Sequence, residues 1–278
     1  MDKQPSLPPA DLVLPLLLLG GIALASLAAP LLAPYDPNQI HMAARLQGPS
    51  ATHWLGTDTL GRDLFSRTLY GGRLSLMLAL AATFLSMLLG LVLGSLAGYF
   101  NGWPDQLITT LTNIFQGLPG TSFMVAIAGI MGPGFHSLLL GLVITSWAGF
   151  TRIVRAEVMH LKEEPFIEGI RCLGASHAHI LFRHILPHLL GNTVVLFTTR
   201  AGRTVQAIAA LSFLGLGLQP PAPDWSVMIS DARMYYRSSP HLILVPGVCI
   251  FVLLLSINLM GDALRNLADR RSQEVWKE

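Results

Sequence analysis

Apolar residues run along this chain in six blocks separated by short polar stretches, covering residues 12–33, 75–100, 108–131, 137–153, 189–213 and 242–260. About twenty apolar residues at 1.5 Å each cross a ~30 Å hydrocarbon core, so most blocks are read as membrane helices. The pattern predicts an all-α, polytopic membrane protein with six transmembrane helices. The first block is flanked by a single basic residue, Lys3, and is long for a signal core, which favours a retained anchor over a cleaved leader. The third block is interrupted at Gly117-Leu118-Pro119, where a kink is expected.

Polar positions break this pattern in three informative places. Between the fourth and fifth blocks lies EPFIEGIRCLGASHAHILFRHILP, residues 164–187. Pro165 suits a first helical turn, Gly174 a left-handed stop, Ser176 a new N-cap and Pro187 the end of the second helix. A helix, a glycine break and a helix outside the bilayer, tied to it at both ends, make a docking element. Second, Arg200 and Arg203 stand near the middle of the fifth block. Each would cost roughly 2.5–3.5 kcal/mol if it faced lipid. With Leu196 and Ala207 they form one helical stripe, which can line a cavity for an anionic substrate. The alternative is a later helix start, with both side chains snorkelling to the interface. Third, Asp58, Arg62, Asp63 and Arg67 alternate in sign between leucines, which reads as an amphipathic surface helix laced with i, i+4 pairs. Residues 220–240 read as an exposed proline-rich loop. Gly90, Gly94 and Gly98 stack small residues on one face, a mark of close helix packing.

Composition supports the membrane reading. Of 278 residues 52% are hydrophobic and only 12% charged. A net charge of +2 gives no case for nucleic acid. Lys3, Lys162 and Lys277 are the only lysines and none follows a glycine, so the chain has no Walker-type phosphate loop. Any ATP must bind another chain. Cys172 and Cys249 fall in unlike environments and are read as unpaired. No HExxH occurs, and His177, His179, His184 and His188 read as an exposed polar face rather than a metal set. Basic residues cluster after the fourth block (Arg152, Arg155, Lys162, Arg171, Arg183) and in the tail, which places that side and both termini in the cytoplasm.

Several motifs together resemble the permeases of dipeptide, oligopeptide and nickel ATP-binding-cassette importers. They are HWLGTDTLGRDLFSRTLYGGR from His53 to Arg73, SFLGLG from Ser212 to Gly217 with the proline and tryptophan beyond it, and NLMGDALRN near the end. The docking element resembles the EAA loop of that family through Glu168, Gly174, Leu186 and Pro187, with Gly169 and Ile170 in place of two alanines and His184 in place of an isoleucine. A glycine for alanine loosens a helix by about 1 kcal/mol, which docking can offset. The resemblance implies a cytoplasmic coupling helix; coupling to an ATPase through Glu168, Gly169, Ile170, Gly174, Leu186 and Pro187; and a substrate pathway past Arg200 and Arg203. It divides the chain into residues 1–74, an anchor helix and external segment, and residues 75–278, a five-span permease core. It implies nucleotide-binding ATPase subunits holding ATP and Mg, a second homologous permease chain, an extracytoplasmic substrate-binding protein, and an inner-membrane location. The expected cargo is a nickel or metal chelate or a peptide, with no catalytic residue, cofactor or resident metal on this chain. A secondary transporter is the alternative, and a membrane-embedded hydrolase lies behind it.

Overall fold

The computed structural model describes residues 10–275, which are mostly helical with no named strand among them. Lys3 and Lys277 lie outside the described residues. The first apolar block forms α1 (Ala10–Leu27) and a short α2 (Ala29–Leu32). Pro30 in the first turn of α2 interrupts the run, so α1 is shorter than the expected span. Next come α3 (Leu64–Phe100), α4 (Gly102–Gly117), α5 (Gly120–Met131) and α6 (Phe135–Leu161). The docking element supplies α7 (Pro165–Cys172) and α8 (His177–Ile180). The chain ends with α9 (Leu186–Phe213), α10 (Trp225–Ala232) and α11 (His241–Val275). Among the described residues four helices are long and apolar enough to cross a membrane, or five if α4 and α5, bent by 87°, count as one crossing.

The predicted third-block kink is therefore a sharp corner at Leu118-Pro119, where proline removes a donor and both residues adopt extended backbone. The glycine stripe packs as expected. A Cβ on Gly94 would fall 2.8 Å from Val154 Cβ, and one on Gly98 2.8 Å from Val158 Cβ, while Gly90 abuts Phe150. The resulting α3–α6 approach is the spine on which the rest is laid.

Two apolar clusters form around it. The main core joins Leu78, Ala82, Leu142, Val205, Ile208, Trp225 and Leu253 from α3, α6, α9, α10 and α11. A smaller cluster, including Val154, Val158, Ile167, Ile180, Ile185 and Leu189, lies beneath α7 and α8. The expected exposed loop at residues 220–240 is partly buried. Trp225, Val227 and Met228 enter the main core, and the Trp225 Nε1 donates to the carbonyl of Thr68 at 2.8 Å.

Candidate functional site

In the docking element, α7 begins at Pro165 and ends as the sequence suggests. Gly174 has φ +81, its N–H donates to Arg171 O at 3.0 Å, and Ala175 N–H reaches back to Ile170 O at 3.4 Å. This paired closure satisfies two end carbonyls and needs a left-handed residue. Ser176 then caps α8, its hydroxyl accepting from His179 N. Ile167 is fully buried and Ile170 half-buried against the smaller cluster, fixing one face of α7. Glu168, Gly169 and Gly174 are exposed, together with Leu173 at 88%. A Cβ at Gly169 would meet nothing within 4 Å, so its exposed side is open to an approaching surface.

Pro187 does the opposite of what its sequence position suggests. Leu181–Ile185 forms a single π-type turn that joins α8 to α9, and Pro187 sits in the first turn of α9 instead of ending a helix. The wider turn lets the backbone accept proline's missing donor without a break. Leu186 packs partly buried against the smaller cluster, and Pro187 is exposed. A continuous apolar segment, His177–Phe213, is the result.

Polar ties hold this element and the turn that leads into it to the end of α3. Tyr99 Oη bonds His177 Nδ1 at 2.9 Å, and Lys162 Nζ donates to Gly98 O and Asn101 Oδ1, both at 2.7 Å. Burial pushes the Lys162 ammonium below its ordinary range, with Glu163 and Asp105 opposing the shift.

Within α9, Arg200 is half-buried, and its guanidinium lies 5.6 Å from the centre of the Phe150 ring. It covers Gly149, where a Cβ would come 2.8 Å from Nη1 and Nη2. Arg203 is exposed. Among the described residues no carboxylate lies within 4.0 Å of either guanidinium. The expected stripe holds in part, with Leu196 and Ala207 half-buried and Ala207 against the main core.

The Asp58–Arg67 segment is no surface helix. Asp58, Arg62, Asp63 and Arg67 are 9%, 2%, 3% and 1% exposed. Asp58 Oδ2 meets Arg62 Nε at 2.6 Å and Arg67 Nε at 3.4 Å, and its Oδ1 accepts from the backbone of Leu60 and Arg62. Arg67 Nη1 donates to Pro37 O, and Arg62 Nη2 lies 3.9 Å from Asp231 of α10. Asp63 caps α3 at Ser66 N and binds His53 Nδ1 at 2.9 Å. Burial raises the Asp231 carboxyl above its ordinary range, against the pull of Arg62 and Arg67. Gly56 and Gly61, at φ +85 and +74, close the turns that make this seam. Two glycines five residues apart, Gly56 and Gly61, are the signal in the sequence that the helical reading passed over.

Among the described residues, no group of three or more His, Cys, Asp or Glu side chains could hold a metal ion. His188 Nδ1 bonds the carbonyl of His184, which removes one ring nitrogen of that pair from any such role. The family described as "Binding-protein-dependent transport system inner membrane component" matches residues 90–274. Over 239 residues the chain is 42% identical to the glutathione transport system permease protein GsiD of Pectobacterium atrosepticum, covering 86% of this chain and 79% of that one. It is 39% identical over 254 residues to the dipeptide transport system permease protein DppC of Alkalihalophilus pseudofirmus, covering 91% and 84%. Among solved structures, the inward-facing MetNI methionine ABC transporter superposes with a TM-score of 0.59 at 20% identity, over 73% of this chain and 95% of that one. An amino acid ABC transporter crystallised with histidines gives 0.58 at 19% identity, over 74% and 94%. At these identities the two structures establish a shared fold alone.

Proposed function

The chain belongs to the family of binding-protein-dependent transport system inner membrane components, and on that premise we propose that it moves peptide-class cargo bearing a free carboxylate past Arg200. As a permease subunit it is not itself an enzyme, and its ATPase is a partner chain. The observation that carries the cargo reading is the half-buried Arg200, stacked on Phe150 with no acidic partner from the described residues. A charge held inside a membrane helix calls for a counter-charge, and a carboxylate on the cargo supplies it. The named relatives carry glutathione and dipeptides, both of which present such carboxylates.

In this reading α7 is the coupling helix. Glu168, Gly169 and Leu173 face the ATPase, while Ile167 and Ile170 transmit its movement into the smaller cluster. ATP and Mg are bound by the ATPase subunits alone. A second permease chain covers the exposed apolar surface of α5, where Ile130 is 87% exposed. The α1–α2 unit and the bent α4–α5 pair complete six crossings, with both termini in the cytoplasm and the Asp58 seam on the side that meets the substrate-binding protein. An anionic metal chelate is the second reading, favoured by the same unpaired Arg200, since its carboxylates offer the same partner.

The test is uptake in cells lacking this chain and complemented with it, using labelled glutathione, a labelled dipeptide, and labelled nickel with and without a carboxylate chelator. Peptide uptake is expected to be lost and rescued. In the same cells Arg200→Leu is expected to cut uptake at least about tenfold at unchanged abundance. Rescue confined to the nickel chelate would replace the peptide reading with the second one, and uptake by Arg200→Leu equal to wild type would overturn the role of Arg200.

A further inference from the structure

We propose that Glu157 is a subsite for the positively charged amino terminus of the cargo; this rests on the peptide reading above and deepens it. Between α6, α9 and α11 lies a cavity of about 290 Å³, lined among others by Ile153, Glu157, Asn192, Leu196, Thr199 and Arg265. Its size and its mix of apolar wall with a few polar groups suit a small ligand. The Glu157 carboxylate is half-buried, and Asn192 Nδ2 donates to its Oε1 at 3.1 Å. Among the described residues no Lys, Arg or His nitrogen comes within 4.0 Å of it, Arg265 included, although Arg265 lines the same cavity. The side amide thus fixes one carboxylate oxygen and leaves the other as an acceptor without a cation.

Arg200 stands one helical turn beyond the Leu196 wall of this cavity. On α6, Gly149, Ile153 and Glu157 recur every four residues and share a face, and on α9 Asn192, Leu196 and Arg200 do the same. Arg200 lies against Gly149, so the two charges are separated by the rise from Gly149 to Glu157, about 12 Å along the helix. An extended chain covers about 3.3–3.6 Å per residue, so a tripeptide with its terminal groups bridges that span. A guanidinium at one end, a carboxylate at the other and Ile153 with Leu196 between them form the charge pattern of a short zwitterion turned inside out. Side-chain amides such as Asn192 orient the carboxylate but cannot neutralise it, and an ammonium group both donates and neutralises.

The experiment uses the transporter complex purified through a tag on this chain and placed in lipid nanodiscs, without added binding protein, so that only the pathway reads the cargo. Equilibrium binding of labelled trialanine is compared with that of N-acetyl-trialanine. In the wild type, acetylation is expected to weaken binding by about tenfold or more. Glu157→Gln, which keeps the bond from Asn192, is expected to bind trialanine as weakly as its acetylated form and to be indifferent to acetylation. Glu157→Asp keeps the discrimination in reduced form. An acetylation effect of the same size in wild type and Glu157→Gln, or no effect in the wild type, overturns the subsite while peptide uptake in cells stands. Loss of this chain without loss of peptide uptake overturns the cargo reading itself.

Discussion

Arg62 and Arg67 are almost wholly buried and meet Asp58, Asp231 and the carbonyl of Pro37, whereas Arg200 and Arg203 stand mid-way along α9 with no carboxylate from the described residues beside them. The first pair finds its counter-charges in the same chain, although Arg67 Nε and Nη2 make no hydrogen bond, so its charges act as a fastener between α3 and the α10 segment. In the second pair Arg203 is exposed, and the half-buried Arg200 is left incomplete. Burial that comes with a partner marks a structural pair, and a partial burial without one marks a place where a charge from elsewhere is expected.

The strongest way to break this contrast is Asp58→Ala. It removes the carboxylate that both buried seam arginines share, which costs about 3–5 kcal/mol and should appear as loss of folded chain from membranes and a lowered unfolding temperature in detergent. Abundance equal to wild type would mean that the seam is not structural. Arg200→Leu is the counterpart. It should leave abundance intact while uptake falls, so the two substitutions separate along different axes.

A finer test is Gly149→Ala. The added methyl falls on the flexible end of Arg200, which can move aside. The fold should survive at a cost of about 1–3 kcal/mol at most, while the Michaelis constant for cargo rises because the guanidinium is displaced from Phe150. An unchanged Michaelis constant would show that the stacked position is irrelevant to transport.

The smallest expected effect belongs to Asp224, a buried carboxylate that lacks an arginine. It caps α10 at Ser226 and Val227 and accepts from Ser75 Oγ at 2.6 Å. Burial raises its carboxyl above the ordinary range, outweighing those hydrogen bonds. A carboxyl whose folded value is raised contributes stability that is fully present below its unfolded value and is lost as pH rises through its folded value. Asp224→Asn, an equally good cap, should flatten that decline in thermal stability on going from acid toward neutral pH. A slope that persists in the variant would assign the effect to another group.

Much of the architecture was legible because apolar run length and helical period are local properties. The blocks at residues 137–153, 189–213 and 242–260 fall inside α6, α9 and α11, and the Gly90-Gly94-Gly98 stripe packs on α6. The ends of α7 were equally plain, because Pro165, Gly174 and Ser176 act within one turn of themselves. The Asp58 seam was not. Alternating Asp and Arg spell a helix face and a folded turn in the same letters, and what buries them is α10, far along the chain. Pro187 was misread for a related reason, since a π-type turn leaves no mark in composition. Glu157 went unremarked because it lies beyond the apolar block at residues 137–153, and its cavity exists only once α6, α9 and α11 are assembled.

That π-type turn has a mechanical consequence. By fusing α8 to α9 it makes His177–Phe213 one rod of 37 residues, about 55 Å from end to end. A rod cannot absorb a push by shortening. Thr83 Oγ1 pins it to α3 through Thr204 at 3.0 Å, beyond its midpoint. A displacement of a few ångströms at its His177 end would therefore swing the far tip at Phe213 in the opposite direction and carry Arg200, one turn from Thr204, through only a small arc.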